Sequence, residues 1–273
     1  MVIYYNNAMI KDAGLSTPPD DWNWAQFREY AMKMTKGTGK DKVYGFALPV
    51  YSIFMNEFPY ANGTSVLTPD HKGSNLKDPK VAEAFQFIND LIYKDGAMPI
   101  PEQGVDAVNL FAAGRIAMTT MGHNAIETVV SSGFKDWNVA YTPINDKTNG
   151  QYIFGVGGYG IMKATQNPDV CWGVIKEIAA NETQKDYAAA GVSNPISRTI
   201  SWSAESLAFP ANAKIFYGVI DKNIKILPAP VNDSEFEEIL FRYYYSMMSK
   251  QQDVKPILEQ AHKELNDSFA RIK

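Results

Sequence analysis

Residues 106–124 read "DAVNLFAAGRIAMTTMGHN" and contain the signals for a helix, a strand and a turn in succession. The first part, "DAVNLFAA", is a short helical pattern that ends at Gly114, a residue that readily adopts the backbone conformation found after helices. The run "IAMTTM" is continuously apolar or β-branched and therefore predicts a buried strand. Gly122, His123 and Asn124 then predict a turn, and an intervening helix follows.

The same alternation extends in both directions along the chain. Strands are predicted in "IYYNN", "VYGFALPV", "WNVAYTPI" and the glycine-rich "FGVGGYGIMKA", at residues 3–7, 43–50, 137–144 and 154–164. Residues 52–61 are assigned no element and continue towards a turn at Asn62-Gly63. Helices are predicted between and after these strands, including 168–180 and two amphipathic helices within 234–250 and 253–272. Strands that alternate with helices indicate the α/β class with a largely parallel sheet.

Two of these helices carry clear boundary signals. The helix of residues 78–96 begins with Asp78 as a cap and Pro79 in the first turn, and ends at Gly96. The helix that begins near Trp24 places one apolar face at helical spacing, and either of two aspartates before it can serve as its cap. The residues concerned are Asp20 or Asp21 for the cap, and Trp24, Phe27, Ala31 and Met34 for the face.

Composition and charge exclude several classes of protein. The chain has 273 residues, of which 45% are hydrophobic and 21% charged, with a formal net charge of −4. This is ordinary globular composition, and its mild acidity argues against a partner that is a nucleic acid. No apolar run reaches the ~18 residues needed to cross a bilayer, and the first ten residues do not resemble a signal peptide. The single cysteine, Cys171, is predicted to be a small buried hydrophobe.

The sequence contains no pattern typical of a catalytic, metal or cofactor site. The three histidines, His71, His123 and His262, lie far apart and form no metal-ligand motif. The adjacent pairs Glu237-Glu238 and Asp20-Asp21 cannot flank one scissile bond, since neighbouring residues on a helix point about 100° apart. A G-x-S-x-G nucleophile elbow is absent, and the three tyrosines at 243–245 are interpreted as core or surface aromatics. We therefore predict no catalytic residue, no metal ligand and no cofactor.

Read in order, the segments resemble one protein family over residues 3 to 272. "IYYNNAMIKDAGLSTPPDDWNWAQFREYAMKMT", "DPKVAEAFQFINDLIYKDGAMP", "FAAGRIAMTTMG", "WNVAYTPI" and "GVGGYGIMKATQNPDVCWGVIKEIAANETQKDYA" are similar to successive landmarks of family 1 extracellular solute-binding proteins. These proteins are receptors of ABC importers, most often for sugars or oligosaccharides. The resemblance implies a type II periplasmic-binding-protein-like fold, in which two α/β lobes clamp the ligand.

Family members are longer at the amino end, so the resemblance implies that this chain is truncated and lacks the signal segment and most of the N-terminal lobe. It assigns residues 1–153 and 204–273 to a complete C-terminal lobe, and 154–203 to a fragment of the N-terminal lobe with its crossing. The fragment is expected to expose an apolar face, which would favour self-association. The glycines of "GVGGYG" have two open interpretations. They allow close approach to another lobe or a ligand, or they pack a strand tightly on a helix.

The resemblance also implies candidate ligand contacts from five parts of the chain. After the strand "IAMTTM" the family often has a glycine and then a tryptophan that stacks on a sugar, whereas here His123 and Asn124 follow Gly122, which predicts more hydrogen bonding and less stacking. The other candidates are Tyr51, Ser52 and Phe54 after the strand "VYGFALPV", Gly157, Gly158 and Tyr159 in the glycine-rich stretch, Asn232, Asp233, Ser234 and Glu235 before a helix, and Arg198.

The function that follows is that of a non-enzymatic, extracytoplasmic receptor, lipid-anchored or free in a periplasm. Its expected partners are a small solute, expected to be a carbohydrate, and the permease subunits of an ABC importer. Two alternatives remain. One is a different cargo, such as a polyol or a phosphorylated or anionic ligand. The acidic Asp233 and Glu235 weigh against the anionic ligands. The other is an α/β enzyme, against which the absence of catalytic motifs weighs.

Overall fold

The computed structural model describes residues 1–101, 106–227 and 229–272. In these ranges the strands are β1 (Val2–Asn6), β2 (Tyr44–Ala47), β3 (Ile116–Met121), β4 (Trp137–Ala140), β5 (Tyr152–Phe154) and β6 (Ile224–Ile226). The helices are α1 (Asn7–Asp12), α2 (Trp24–Met34), α3 (Ser52–Ala61), α4 (Pro79–Tyr93), α5 (Ala107–Ala112), α6 (Ala125–Ser131), α7 (Pro168–Ile178), α8 (Asn181–Ala189), α9 (Arg198–Ser201), α10 (Lys214–Gly218), α11 (Asp233–Ser249) and α12 (Lys255–Ala270).

The main sheet has the order β2-β3-β1-β4. β2 pairs with β3 in parallel, whereas β1 is antiparallel to both β3 and β4, and a separate parallel pair is formed by β5 and β6. The predicted α/β class is confirmed, and β2, β3 and β4 share one direction. The prediction of a largely parallel sheet is wrong at β1, because helix–strand alternation does not encode the direction in which a strand enters its sheet.

The two faces of this sheet are buried in two separate cores. Because successive side chains of a strand point to opposite faces, Ile3 and Tyr5 of β1 enter one core while Val2 and Tyr4 enter the other. The first core is completed by α2, α3, α4, α11 and α12, and the second by α5, α6 and α10. In the second core Tyr4 stacks on Trp137 with ring centroids 5.1 Å apart. Burial on both faces explains the continuous apolar run of β3.

The cap of helix α2 lies two residues beyond the nearer of the two predicted aspartates. Asn23 is the cap, because its side chain accepts from the backbone of Gln26 while the Gln26 side chain accepts from the backbone of Asn23. The prediction of an aspartate cap is therefore wrong, since Asp20 and Asp21 lie outside this reciprocal pair. The predicted apolar face from Trp24 to Met34 is confirmed as buried. In α4, the predicted cap Asp78 is also confirmed and accepts from the backbone of Lys80 at 2.9 Å.

Three further segments differ from the sequence expectations. Residues 52–61 form α3. The sequence did not predict this helix because Pro59 lies in its interior, where proline is rare. The predicted glycine-rich strand at 154–164 is wrong, because β5 ends at Phe154 and the following residues form no strand and are exposed. Cys171 is half-buried rather than buried, and its Sγ lies 3.7 Å from the Thr165 hydroxyl.

A buried carboxyl group fastens α3 to the sheet. Glu57 accepts a hydrogen bond from the Thr120 hydroxyl of β3 at 2.6 Å and a second from the Thr142 hydroxyl just after β4. Only 1% of Glu57 is exposed, and this burial raises the pKa of its carboxyl group, while the amino group of Met1 and the two hydroxyls act in the opposite direction. Glu57 therefore fixes the middle of α3 relative to the ends of β3 and β4.

We predict that Glu57→Gln changes the pH dependence of stability. Because the pKa of Glu57 is higher in the folded than in the unfolded chain, ionisation costs stability as the pH rises above the unfolded value. The free energy of unfolding of the variant, measured relative to that of the wild type, should therefore increase between pH 5 and pH 8. Urea unfolding at several pH values measures this difference. Glu259→Gln, which changes an exposed glutamate, is the control. A difference in unfolding free energy between Glu57→Gln and the wild type that stays constant with pH would contradict the prediction.

Candidate ligand-binding site

A cleft of about 660 Å³ opens where four parts of the chain meet. These are the segment 49–54 that leads from β2 into α3, the start of α5 at 106–108, the segment 121–128 that leads from β3 into α6, and one side of α11. β2 and β3 are parallel neighbours, so the segments that follow them emerge at the same edge of the sheet. The cleft is lined by Pro49, Val50, Tyr51, Phe54, Asp106, Ala107, Val108, Met121, Asn124, Ala125, Thr128, Phe241 and Tyr245.

Two aromatic pairs form opposite parts of the cleft wall. Tyr51 and Phe54 are arranged edge to face with centroids 6.3 Å apart, and Tyr51 is 65% exposed. Phe241 and Tyr245, one turn apart on α11, are stacked with centroids 6.4 Å apart and an angle of 18° between their planes. Exposed aromatic faces can cover the C–H surface of a sugar ring or of another flat apolar group.

The remaining wall is polar. Asn124 and Thr128 are exposed at the start of α6, and the Asn124 side chain makes no capping bond. A Cβ atom on Gly122 would lie 2.6 Å from Asn124 Oδ1, so the absence of a side chain at residue 122 makes room for this amide. Asp106 lies at the cleft edge and caps α5 by accepting from the backbone of Val108 at 2.8 Å. Amide, hydroxyl and carboxylate groups together offer donors and acceptors to a polar solute.

Three of the candidate ligand contacts, Tyr51, Phe54 and Asn124, lie together in the lining of the cleft. Ser52, which begins α3 next to them, is 4% exposed and does not line the cleft. These residues converge because each follows the end of a strand in the main sheet.

His123 points away from the cleft and into the second core. Its Nε2 atom lies 3.2 Å from the Tyr217 hydroxyl, and its ring packs edge to face on Phe216 at 4.9 Å. Burial lowers the pKa of His123 to about 4, so the imidazole is neutral at pH 7. The placement of this side chain among the cleft contacts is therefore wrong, because the turn directs consecutive residues to opposite sides.

The glycine-rich stretch does not reach the cleft either. Gly157, Gly158 and Tyr159 are exposed, and a Cβ atom on either glycine would meet nothing within 4 Å. Neither open interpretation of these glycines is seen among the described residues, since the backbone here approaches neither a ligand wall nor a helix. Their placement at the cleft is not supported by this geometry.

The candidates at the start of α11 lie about two turns from the aromatic pair. Asp233 and Ser234 are exposed, and Glu235 pairs with Arg271, the residue just after α12. Asn232 donates to the Ser268 hydroxyl at 2.6 Å, and Arg198 binds both carboxylate oxygens of Asp221 at 2.8 Å. None of these side chains lines the cleft, because its α11 wall begins at Phe241.

Sequence reasoning missed Asp106, Phe241 and Tyr245. Of the three consecutive tyrosines at 243–245, Tyr244 is buried and donates to Asn56 at 2.7 Å, whereas Tyr245 faces the cleft. The i, i+4 spacing of Phe241 and Tyr245 would have indicated one shared helix face. Among the described residues no group of three His, Cys, Asp or Glu side chains could hold a metal ion. Within the same ranges, the helices are too short or too polar to traverse a bilayer.

Comparison with known proteins identifies the family. The sequence profile of the bacterial extracellular solute-binding proteins matches residues 1–185. The chain belongs to this family. A putative binding protein of Brucella abortus is 25% identical over 259 residues, which cover 87% of this chain and 56% of that protein. A probable ABC transporter-binding protein of Deinococcus radiodurans is 23% identical over 308 residues, covering 100% of this chain and 66% of that protein.

Solved structures of other proteins have the same fold as this solute-binding protein. An ABC substrate-binding protein of Listeria monocytogenes in complex with cycloalternan has a TM-score of 0.87 at 20% identity, covering 98% of this chain and 69% of that one. The maltose-bound MalE3 of T. maritima has a TM-score of 0.81 at 21% identity, covering 98% and 70%. The periplasmic-binding-protein-like fold is thereby confirmed. The chain spans 56% of the length of the Brucella relative.

We predict that protonation of His123 lowers the stability of the folded chain in mild acid. Its pKa is about 4 in the folded chain against 6.5 ordinarily, so the unfolded chain binds the proton first as the pH falls. The free energy of unfolding should drop by up to about 3 kcal/mol between pH 6.5 and pH 4. NMR titration of the assigned imidazole measures the folded pKa. Tyr217→Phe, which removes the hydroxyl but keeps the burial, should leave that pKa low, and a wild-type midpoint near 6.5 would contradict the assignment.

Proposed function

We propose that this chain is part of a receptor that binds a sugar or oligosaccharide for an ABC importer. The observation that carries the proposal is the cleft, which combines two aromatic pairs, made of the exposed Tyr51 and three half-buried rings, with an amide, a hydroxyl and a carboxylate. Sugar rings present an apolar C–H face and a polar edge, so they suit such a surface. The neighbours solved with cycloalternan, maltose and maltotriose support this cargo class.

The alternatives are less well supported. Among the described residues that line the cleft, none is lysine or arginine, and Asp106 is acidic, which opposes a phosphorylated or anionic cargo. A neutral polyol fits the same walls but uses less of the aromatic surface. The described residues that line the cleft form no catalytic constellation that would favour an enzymatic function. As a family member, the receptor would act outside the cytoplasm with permease subunits as partners, either lipid-anchored or free.

We further propose that residues 1–153 and 204–273 form one lobe and that 154–203 belongs to the other lobe. In support, helix α7 of this segment has no buried residue although its sequence is amphipathic. Val170, Trp172 and Val174 on α7 are 66%, 53% and 55% exposed. Such a surface is typical of an interface. In the longer receptor it would pack against the rest of that lobe, and in this chain alone it would favour self-association.

We predict that maltotriose binds this chain weakly and through the aromatic walls. One lobe provides only part of the contact area and no closure, so the affinity should lie in the millimolar range. Phe241→Ala and Tyr245→Ala should each weaken binding by about three- to tenfold, since an aromatic contact is worth about 0.5–1.5 kcal/mol. Ligand-detected NMR titration measures these changes.

Tyr243→Ala is the matched control, because Tyr243 lies on the same helix but donates to Glu264 outside the cleft. It should bind maltotriose like the wild type. Parallel titration with glycerol 3-phosphate tests the anionic alternative. The sugar proposal fails if the phosphate ester binds and neither maltotriose nor any other neutral sugar does.

We predict that the exposed apolar side chains of α7 bind hydrophobic dyes. The double variant Val170→Ser/Trp172→Ser should lower the fluorescence of anilinonaphthalene sulfonate without lowering the melting temperature, because both side chains are largely exposed. The double variant Met32→Ser/Val130→Ser changes exposed apolar residues elsewhere and should leave the signal unchanged. Equal dye binding by all three proteins would argue against an unpartnered interface on 154–203.

A further inference from the structure

We propose that Gly191 is a positioning residue for the polar wall of the cleft, and that its contact with α6 makes solute binding and the placement of segment 154–203 depend on each other. The inference rests on the proposed function of the cleft as the solute site and adds a coupling to it. It comes from the burial pattern of the segment, from two atomic contacts and from the two sides of one short helix.

Beyond β5, segment 154–203 touches the rest of the chain over a short stretch. Residues 155–183, all of which the structure describes, include no buried residue. The buried residues of the segment all follow this stretch and are Gln184, Gly191, Pro195, Ile200 and Ser201. The contact of the segment with the remaining chain is therefore concentrated at residues 184–201.

Gly191 meets α6 at a distance that leaves no room for a side chain. It follows α8 in the left-handed conformation, with a φ of +70°, and its amide and the next one donate to the carbonyls of Ala188 and Tyr187. A Cβ atom at residue 191 would lie 2.9 Å from Ile126 Cγ2 and 3.3 Å from the Glu127 nitrogen. Because isoleucine is stiff at χ1, α6 itself would have to move.

The opposite side of α6 is the polar wall of the cleft. Asn124 and Thr128 line the cleft, whereas Ile126 and Glu127 lie against Gly191. Successive residues of a helix point about 100° apart, so these two pairs face in opposite directions. A shift of α6 relative to Gly191 would therefore displace both polar side chains relative to a solute.

A second contact ties the same stretch to α10. Asn194 Nδ2 donates to the carbonyl of Phe216 at 3.3 Å, and the ring of Phe216 packs on His123 at 4.9 Å. The carbonyl of His123 accepts a hydrogen bond from the backbone of Ile126 at 3.0 Å. Residues 191–194 therefore contact both α6 and the helix against which the turn before α6 packs.

Coupling between two sites acts in both directions. If the position of segment 154–203 sets the polar wall, a solute held by that wall stabilises the segment in the position that the wall requires. In the proposed receptor this segment belongs to the other lobe. The contact at Gly191 would then relate the presence of cargo to the arrangement of the two lobes.

The first test is Gly191→Ala, with Gly14→Ala as the matched control. Gly14 has the same left-handed conformation after α1, with a φ of +66°, but a Cβ atom there meets nothing within 4 Å. Both substitutions carry the same backbone strain, whereas only Gly191→Ala should shift the NMR amide resonances of Asn124 and Thr128. Melting curves verify that both variants fold. Equal effects of the two variants on these resonances would overturn the proposal.

The affinity for maltotriose measures the effect on the solute. Gly191→Ala should weaken binding about three- to tenfold, as expected for one misplaced hydrogen bond, and Gly14→Ala should remain within about twofold of the wild type. Ile126→Ala removes the Cγ2 atom that the new side chain meets. Introduced into the Ile126→Ala chain, Gly191→Ala should therefore cost less than about half of this loss. A loss of the same size in both backgrounds would overturn the role of this contact.

Hydrogen exchange on the wild-type chain tests the reverse direction and requires no variant to fold. Saturation with maltotriose should slow the exchange of the Gly191 and Val192 amides, which bond to α8 beside the contact. The amides of α7, which lies in the same segment but has no buried residue, are the control and should be unchanged. Unchanged exchange at Gly191 and Val192 would overturn the coupling.

The outcomes separate this inference from the proposed function. If maltotriose binds to the wild type, and Gly191→Ala binds it as Gly14→Ala does, the receptor proposal stands and the inference is wrong. If neither maltotriose nor another neutral sugar binds, the proposed function is wrong for this chain. The resonances of Asn124 and Thr128 would then still decide whether Gly191 places the polar wall.

Discussion

The fold depends on the pairing of β1 on both of its edges. Four residues of β1 align with β3 and four with β4, so this strand holds together the two strands that it separates. Its side chains alternate between two cores, so a shift of one residue would exchange Ile3 and Tyr5 with Val2 and Tyr4. The register of β3 follows from this pairing, and with it the position of the turn that carries Asn124.

Glu57 adds a second constraint, which relates the helices to the sheet. Its two carboxylate oxygens are held by threonines from β3 and from the segment after β4. The first turn of the same helix carries Phe54 to the cleft, and its neighbour α11 supplies the opposite aromatic pair. Two indoles reinforce the arrangement, since Trp22 and Trp24 donate to the backbone of Tyr141 and Pro143. The geometry of the cleft is thus an outcome of polar contacts made inside the core.

Much of this architecture could be predicted from the sequence because it depends on local signals. The cap and proline of α4, the apolar face of α2 and the buried run of β3 each follow from neighbouring residues. The direction of β1 could not be predicted, because it depends on long-range pairing. The same division holds in the cleft. Tyr51, Phe54 and Asn124 follow strand ends and were found, whereas Asp106 and the aromatic pair of α11 come from distant segments and were missed. His123 and Asn124 are adjacent in sequence, and only the turn geometry sends one to the core and the other to the cleft.

The turn at residues 122–124 therefore joins the second core, which constrains His123, to the cleft, which Asn124 lines. Tyr4 of β1 donates to the carbonyl of Gly122 at 2.8 Å, while His123 contacts Phe216 and Tyr217 of α10. The orientation of the Asn124 amide is consequently set by residues that do not line the cleft. In a receptor of the proposed kind, substitutions in α10 or β1 would alter cargo preference from behind the surface of the cleft. Residues that differ between related receptors with different cargoes should then be sought in this supporting layer as well as in the cleft.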